Sequence, residues 1–403
     1  MEQNFNIKSI KAKQILDSQD RPTIEVELKT DFGKFKSSVP AGISTGKYEA
    51  IAVGIPKAIE NVEKIICPVL AGKDLSVQEE VDEILINLDG TENKSRLGAN
   101  AILAVSIAVC RAGAKSKKIP LYQYIQEISN LEQEIGKFPL PSFNIIEGGK
   151  HARTGPAFQE FMVIPQKESF KENLETGKKI YKKTKRMLKK RYGKNRAKLS
   201  AEGAFSEPIR EVSEAIELVL HAAEFSGERD NIKIAIDAAA SEIYESGIYT
   251  IDGRKFSAAE LTEFYKELIA KYPIVSIEDP FEEEDFDSWK MLKSEILIFG
   301  DDLTVSNIKR VKLAKEKDSC SGLILKPNQI GTVSETIKVA KLARSFGWKI
   351  MVANRAGETN DDFIADLAVG LGADFIKSGA PFPKERMVKY NRLIKIEKEL
   401  NKK

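Results

Sequence analysis

The sequence has few of the residues that carry soft-metal, redox or membrane chemistry. Among 403 residues there are three cysteines, far apart and without a Cys-x-x-Cys pair, which argues against a zinc ribbon or a dithiol redox centre. Of the two histidines, we expect His221 to pack within a helix, whereas His151 lies in a glycine-containing loop. No run reaches the roughly 18 to 20 apolar residues of a membrane helix, and the N-terminal residues lack a signal-peptide core. We therefore expect a cytoplasmic protein with no membrane association.

An excess of charge of one sign is also absent. The 63 basic residues nearly balance the 60 acidic residues, which argues against a general polyanion binder. One segment departs from this balance: residues 178–198 contain twelve Lys or Arg and no acid, beside an apolar helical face. We interpret this segment as the solvated side of a surface helix, with a nucleic-acid or acidic-partner patch as the alternative.

Patterning divides the chain into two parts. Residues 5–39 alternate short β-type runs with turn residues, which predicts a small antiparallel sheet, and helical patterns follow at 55–72 and 100–118. We therefore predict an α+β domain over residues 1–125. A polar stretch that ends in closely spaced prolines, 127–141, leads into a second domain over residues 136–403.

The second part alternates short apolar runs with amphipathic helices, which is typical of βα units and a parallel sheet. The predicted strands are 141–146, 160–165, 232–236, 274–277, 296–299, 322–325, 349–353 and 374–376. Eight such strands predict an α/β barrel of the TIM type.

A charged residue follows each of six of these strands: Asp237, Glu278, Asp301, Lys326, Arg355 and Lys377. An acid after a strand commonly caps a helix, but a lysine or arginine cannot cap an N-terminus. Because the carboxyl ends of barrel strands converge on one mouth, we expect all six to face one cavity.

The signs of these charges indicate a chemistry. Three carboxylates without a nearby His or Cys are the ligand set of a hard cation such as Mg²⁺, which can stabilise an enediolate formed by proton removal beside a carboxylate. The cations opposite suit an anionic substrate that bridges the metal and a lysine. We expect Lys326, crowded by cations, to have a pKa lowered from ~10.4 toward that of a usable base.

Several long stretches point to one family. They include "QILDSQDRPTIEVEL", "LDGTENKSRLGANAILAVSIAV", "KYPIVSIEDPF", "GDDLTVSN", "LKPNQIGTVSET" and "AGETNDDFIADLAVGLGADFIKSGAP". On these stretches the sequence resembles the enolase (phosphopyruvate hydratase) family along nearly its whole length. The resemblance implies an α+β cap domain, a barrel whose second strand is antiparallel, and a dimer or larger homo-oligomer. The activity it implies is the Mg²⁺-dependent dehydration of 2-phosphoglycerate, a small anionic phosphocarboxylate, in glycolysis or gluconeogenesis.

The same resemblance assigns site residues position by position. Lys326 matches the base that takes the C2 proton, and Glu202 matches the acid that helps expel the C3 hydroxyl group, with Glu160 as its partner. His151 matches a histidine of a mobile loop. The positions matching magnesium ligands are Asp237, Glu278, Asp301 and, for a second metal, Ser44 of the lid loop. The expected substrate-binding residues are Gln159, Asn354, Arg355, Ala356 and Lys377. The resemblance implies that Arg355 holds the substrate phosphate by its planar fork.

Departures from the family cluster at this site. Asn354-Arg355-Ala356 stands where the family usually has His-Arg-Ser, and Glu147 stands where it usually has asparagine. Ser200-Ala201-Glu202-Gly203-Ala204 replaces Gly-Asp-Glu-Gly-Gly, and the loop after "STGKYEAIA" is shorter than usual. Two alternatives therefore remain: an enolase paralogue that applies the same proton abstraction to a different carboxylate, and a non-catalytic protein that binds a partner through the basic segment.

Overall fold

The architecture was analysed in a computed structural model of the chain. The structure describes residues 6–43, 45–73, 77–131, 138–152, 155–193, 198–206 and 209–402. Within these residues, no helix has both the length and the apolar character needed to cross a membrane.

The N-terminal part is a three-stranded antiparallel sheet covered by helices, as predicted. The strands pair in the order β1 (Ile7–Leu16), β2 (Pro22–Thr30) and β3 (Gly33–Ser38). Ile24, Val26 and Leu28 alternate along β2 and are fully buried against the helices. The helices are α1 (Ile55–Glu60), α2 (Cys67–Leu70), α3 (Gln78–Asp89), α4 (Ala99–Ser116) and α5 (Leu121–Ser129).

A π-helical segment, Asn61–Ile66, joins α1 to α2. Pro68 has no N–H to offer the carbonyl group of Lys64, so the regular helical ladder cannot continue through it. The chain widens instead, and the N–H of Cys67 donates to the carbonyl oxygen of Val62.

The C-terminal part is a closed eight-stranded barrel. Its strands are β4 (Leu140–Glu147), β5 (Glu160–Pro165), β6 (Ile232–Asp237), β10 (Ile274–Glu278), β11 (Leu297–Gly300), β12 (Gly322–Leu325), β13 (Lys349–Ala353) and β14 (Phe375–Lys377). Each predicted strand overlaps one of these. The second strand, β5, pairs antiparallel with both β4 and β6, as the family resemblance implied.

Helices surround the barrel, and a small antiparallel sheet, β7 (Tyr244–Glu245), β8 (Ile248–Ile251) and β9 (Arg254–Phe256), follows β6. The helices are α6 (Phe170–Tyr192), α7 (Val212–Glu224), α8 (Ala258–Lys271), α9 (Phe286–Lys293), α10 (Ile308–Glu316), α11 (Pro327–Ile330), α12 (Val333–Ser345), α13 (Phe363–Gly370) and α14 (Lys384–Leu400). Apolar side chains fill the barrel interior, among them Phe299, Ile324 and Met351.

The basic segment forms the C-terminal half of α6 as far as Tyr192. Ile180 and Leu188 are fully buried, whereas Lys182, Lys189 and Lys190 are exposed, so this part of the segment is the solvated face of a surface helix. The expectation of a packed His221 was wrong. Its side chain is exposed on α7, because the apolar neighbours that pack inward lie on the other side of that helix.

Candidate active site at the barrel mouth

The six charged residues converge at one end of the barrel, as the strand pattern predicted. Asp237, Glu278 and Lys377 are the last residues of β6, β10 and β14, and the other three follow their strands within two positions. Five of the six are buried, and Lys326 is half-buried.

Lys377 is the centre of a buried cluster of carboxylates. Its Nζ donates to both carboxylate oxygens of Glu278, at 2.9 and 2.7 Å, and to Glu160 at 2.9 Å, with Asp237 at 3.4 Å. The β5–β6 register places Glu160 directly opposite Asp237. Burial disfavours the ammonium form, but Glu160, Glu278 and Asp237 outweigh it and raise the pKa of Lys377 well above its usual range.

Lys326 has the extended backbone expected before Pro327, with φ −126° and ψ 107°. Its Nζ is ion-paired with Asp301. Burial lowers the pKa of Lys326, but the attraction of Asp301 exceeds the repulsion from Arg355 and Lys377, and the net shift is upward. The expected lowering of this pKa was therefore wrong, because a carboxylate lies closer to Lys326 than the neighbouring cations do.

Asp237, Glu278 and Asp301 offer the oxygen donors that a hard divalent cation prefers, although together they are not one of the described groups whose ligand atoms all lie within 4.8 Å of one another. Burial, together with repulsion from Asp237 and Asp301, raises the pKa of Glu278 well above its usual range. A divalent cation relieves that repulsion, so the set fits the family's metal chemically. Ser44, the expected ligand of a second metal, lies outside the described residues.

Two further acids lie beside Asp301, one of the expected metal ligands. Carboxylate oxygens of Asp279, Asp301 and Asp302 lie within 4.8 Å of one another. Asp279 accepts the backbone N–H groups of Asp301 and Asp302, both at 2.8 Å, and so fixes the turn that presents Asp301.

A second group of titratable side chains lies beside the first. Ligand atoms of Glu147, His151, Glu160 and Glu202 all lie within 4.8 Å of one another. The β4–β5 register places Glu147 directly opposite Glu160, and His151 Nδ1 is 3.6 Å from Glu160 Oε1.

The pKa values in this second group diverge. Burial, then the charge of Glu202, raises the pKa of Glu147 to about 8. Burial works against the charged forms of His151 and Glu160, but each stabilises the other and Lys377 also attracts Glu160. The pKa of His151 is thereby raised to about 9 and that of Glu160 is lowered to about 2.

Glu202 is held in place by the turn at Gly203 and by a side-chain donor. Gly203 has φ +82°, and a Cβ there would lie 2.2 Å from Pro383 Cγ, so only glycine fits. Asn354 Nδ2 donates to Glu202 Oε1 at 2.9 Å. In the part of the chain that the structure describes, the buried Glu202 Oε2 has no hydrogen-bond partner.

One small cavity joins the two groups. Gly42 and Ile43 of the N-terminal part face the barrel across it. Its barrel-side lining consists of His151, Gln159, Glu160, Glu202, Asp237, Lys326, Asn354, Arg355, Ala356 and Lys377. Gln159 Nε2 donates to Asp237 at 3.2 Å. The structure thus brings together the catalytic and substrate-binding residues that the resemblance assigns.

The comparison with protein families agrees with this geometry. Residues 7–125 match the family model described as the enolase N-terminal domain, and residues 136–403 match the enolase C-terminal TIM barrel domain. The chain belongs to the enolase family. Membership and the buried acidic groups together indicate an enzyme of the enolase superfamily with a divalent-metal site.

In this enolase-family chain, sequence reasoning missed the partner of Arg355. The guanidinium grips Glu49 with both Nη atoms, at 2.8 and 3.1 Å, and Arg355 Nη1 also donates to Asn328 at 3.3 Å. Glu49 ends the stretch "STGKYE", which begins with Ser44, the serine expected in the lid loop. A carboxylate this close to the expected lid was the sequence signal for a partner of Arg355. The assignment of Arg355 to a substrate phosphate stays a prediction.

Asp279 was also missed. It follows Glu278 in "SIEDPF" and has φ +43°, in the left-handed region that aspartate adopts more readily than most residues. Its role as a double acceptor depends on the neighbouring strand, which sequence spacing does not reveal.

Proposed function

We propose that this protein catalyses the Mg²⁺-dependent dehydration of 2-phosphoglycerate to phosphoenolpyruvate. The observation that supports the proposal is the convergence of Asp237, Glu278 and Asp301 with two lysines at one end of the barrel: Lys377 contacts Asp237 and Glu278, and Lys326 pairs with Asp301. Those residue types, in an enolase-family barrel, suit proton abstraction next to a carboxylate.

Each residue then has a role defined by its position. Lys326 would take the C2 proton as a neutral amine, after its ammonium group has left Asp301 and released its own proton to solvent. Lys377 keeps the surrounding carboxylates compensated. Glu202, which lines the cavity and whose buried Oε2 has no hydrogen-bond partner among the described residues, would supply the proton that the leaving hydroxyl group needs.

Asp237, Glu278 and Asp301 would hold the cation, and a bound Mg²⁺ supplies positive charge against the negative charge that develops on the substrate carboxylate. Arg355 would bind the phosphate group through its planar fork. Burial of the whole set limits competing water, which strengthens these charge interactions.

The direct test is an ultraviolet assay of the purified protein with Mg²⁺ and 2-phosphoglycerate. We expect the absorbance of the enol product to grow with time. Lys326→Ala should lower kcat by about 10²- to 10⁴-fold, the usual contribution of a general base. Lys395→Ala, an exposed lysine on α14, is the matched control. A flat trace at high concentration of the unmodified protein would exclude this reaction.

A second candidate is the same proton abstraction on a different carboxylate. It is favoured by the ion pair between Arg355 and Glu49 and by Asn354 and Ala356, which replace two family contacts to substrate. Incubation of candidate carboxylic acids with the Mg²⁺-loaded protein in D₂O tests it. Deuterium at the carbon next to the carboxylate of another acid, without turnover of 2-phosphoglycerate, would select this candidate.

A further inference from the structure

Glu147 and Glu202 differ from the other carboxylates of the site in their charge compensation. Glu160 has two cationic neighbours, Lys377 at 2.9 Å and His151 at 3.6 Å. Glu147 instead accepts hydrogen bonds from neutral groups: Asn144 Nδ2 at 2.5 Å, the backbone N–H of Glu202 at 3.4 Å and the side chain of Ser200. Two carboxylates thus meet where neutral groups make the hydrogen bonds.

The strand register explains why Glu147 cannot turn away. β4 pairs with β5 so that Glu147 stands directly opposite Glu160, and its backbone N–H donates to the carbonyl oxygen of Phe205 at 2.9 Å. Its side chain is fully buried. Like charges placed opposite each other on a buried sheet face are destabilising unless a counter-ion or a proton compensates them.

The neighbours come from four parts of the fold. The titratable and charged groups that face the Glu147–Glu202 pair are Glu160 on β5, His151 after β4, Tyr181 on α6, and Arg386 and Tyr390 on α14. Arg386 Nη1 is 4.0 Å from Glu202 Oε1, but it donates to the carbonyl oxygen of Arg355 at 2.7 Å. The cation of His151 is shared among Glu160, Glu147 and Glu202. Among the described residues, the two carboxylates of the Glu147–Glu202 pair therefore have no cation of their own within direct hydrogen-bond contact, and a proton can balance them.

Glu202 Oε2 is a buried carboxylate oxygen that lacks a hydrogen-bond donor among the described residues. Glu202 as a whole is only 3% exposed. A carboxylate oxygen buried in this way needs a hydrogen bond. A proton on the neighbouring carboxyl group supplies that bond, directly or through one water molecule, and removes the extra charge.

We propose that Glu147 and Glu202 share one proton, and that Glu147 is the positioning residue that keeps Glu202 ready to donate it. This inference rests on the proposed dehydration. As the C3–O bond breaks, its electron pair leaves with the oxygen, and the shared proton joins the hydroxide to form water. The pair is left as two carboxylates, and Lys326 holds the C2 proton. The pair regains a proton from solvent, and Lys326 releases its own to solvent.

Proton counting on the folded, Mg²⁺-loaded protein tests the pair without any substrate. In potentiometric titration we expect the unmodified protein to release one more proton per chain than Glu147→Gln around pH 8, where Glu147 titrates. Glu245→Gln, an exposed acid on β7, should match the unmodified protein. If Glu147→Gln does not fold, Glu147→Asn is the replacement, because the family usually has asparagine there. Equal curves for the variant and the unmodified protein would overturn the proposal.

A second variant separates a shared proton from one that belongs to Glu147 alone. In Glu202→Gln the like charge is gone, so the release should move to lower pH. A release that stays at the same pH in Glu202→Gln means that Glu147 titrates independently of Glu202, and the sharing is then disproved.

Turnover tests the last step. In Glu147→Gln no neighbouring carboxyl group holds the shared proton, so the pH of maximal kcat should move to the acid side and kcat at pH 8 should fall about tenfold or more. A merely structural role would change kcat by the same factor at every pH. If the unmodified protein forms no phosphoenolpyruvate, the titrations still decide the pair. If it forms product with a pH profile that Glu147→Gln does not shift, the proton-delivery role is overturned while the dehydration stands.

Discussion

The two sides of the catalytic cavity achieve charge balance differently. On the side of β10 to β14, the lysines compensate the acids directly: Lys377 contacts Glu278 and Glu160, and Lys326 pairs with Asp301. On the side of β4 and the 198–206 loop, Glu147 and Glu202 lie close together, with Asn144, Ser200 and Asn354 as their side-chain donors.

The difference shows what each side is suited to do. A lysine that pairs with a carboxylate can exchange that partner for a metal-bound substrate, so the first side can bind ligands while remaining neutral. The second side has an excess of negative charge that a proton can neutralise. In the proposed mechanism, metal binding and proton delivery would therefore be assigned to different sides of the site.

The largest effect on stability should come from replacing Lys377, the cation shared by the carboxylates of the first side. Lys377→Met leaves several buried carboxylates without their shared cation, and removal of one partner from a buried pair costs about 3 to 5 kcal/mol. We expect urea unfolding in EDTA to show a loss of that size.

Because a cation can replace the lost charge, Mg²⁺ should restore more stability to Lys377→Met than to the unmodified protein. Lys395→Met, on the exposed face of α14, should behave as the unmodified protein does. A loss in Lys377→Met that Mg²⁺ leaves unchanged would show that the carboxylates do not bind the metal together.

A smaller effect is expected where the N-terminal part meets the first side. Glu49→Gln removes the carboxylate that Arg355 grips with both Nη atoms. Hydrogen bonds to charged groups contribute about 1.5 to 3 kcal/mol, and we expect a loss of that size in thermal unfolding.

Inorganic phosphate provides the corresponding readout for Arg355. If Arg355 binds phosphate, then phosphate should raise the Tm of Glu49→Gln more than that of the unmodified protein, because Glu49 no longer competes. Glu80→Gln, an exposed acid on α3, is the control. Equal Tm shifts in all three proteins would argue against Arg355 as the phosphate ligand.

The fold could be predicted from the sequence because its signals are local. Each barrel strand is a short apolar run, and the antiparallel sheet at the N-terminus shows alternation over β1 to β3. The antiparallel direction of β5 could not be derived in this way, because the apolar run "EFMVIP" predicts a strand but not its direction in the sheet. Only the family resemblance implied that direction. The π-helical segment before Pro68 likewise required knowledge of which hydrogen bonds form.

The candidate site was partly predictable for the same reason. Asp237, Glu278 and Lys377 sit at strand ends, so topology alone brings them together. The pairing of Lys326 with Asp301 reversed the expected pKa shift, since spacing gives which residues converge but not which atoms touch. Glu49 and Asp279 were missed because their partners lie on other elements.

The pH dependence of stability tests the second side. Glu147 has a folded-state pKa of about 8, above its unfolded value, so the folded chain holds a proton that the unfolded chain has lost. The free energy of unfolding must therefore fall as pH rises toward 8. His151, with a pKa raised to about 9, acts in the same direction and adds to the fall above pH ~6.5.

Glu147→Gln separates the two contributions. Between pH 6 and 7, well below the folded-state pKa of Glu147, we expect the unfolding free energy of the variant to decline less steeply than that of the unmodified protein, by about 1.4 kcal/mol per pH unit for one proton. Urea unfolding at several pH values measures this slope. Parallel slopes would mean that Glu147 is ionised in the folded protein.

The smallest effect is expected at Ala356, where a hydroxyl group that the family usually has is absent. Ala356 lines the cavity next to Arg355 and is 4% exposed, so Ala356→Ser adds a donor at the predicted phosphate position without a large change in volume. One hydrogen bond contributes about 0.5 to 1.5 kcal/mol, which corresponds to a KM for 2-phosphoglycerate lower by about two- to twelvefold. An unchanged KM would indicate that the substrate phosphate does not approach residue 356. A raised KM would indicate that the alanine accommodates a different substrate, which is what the second candidate function requires.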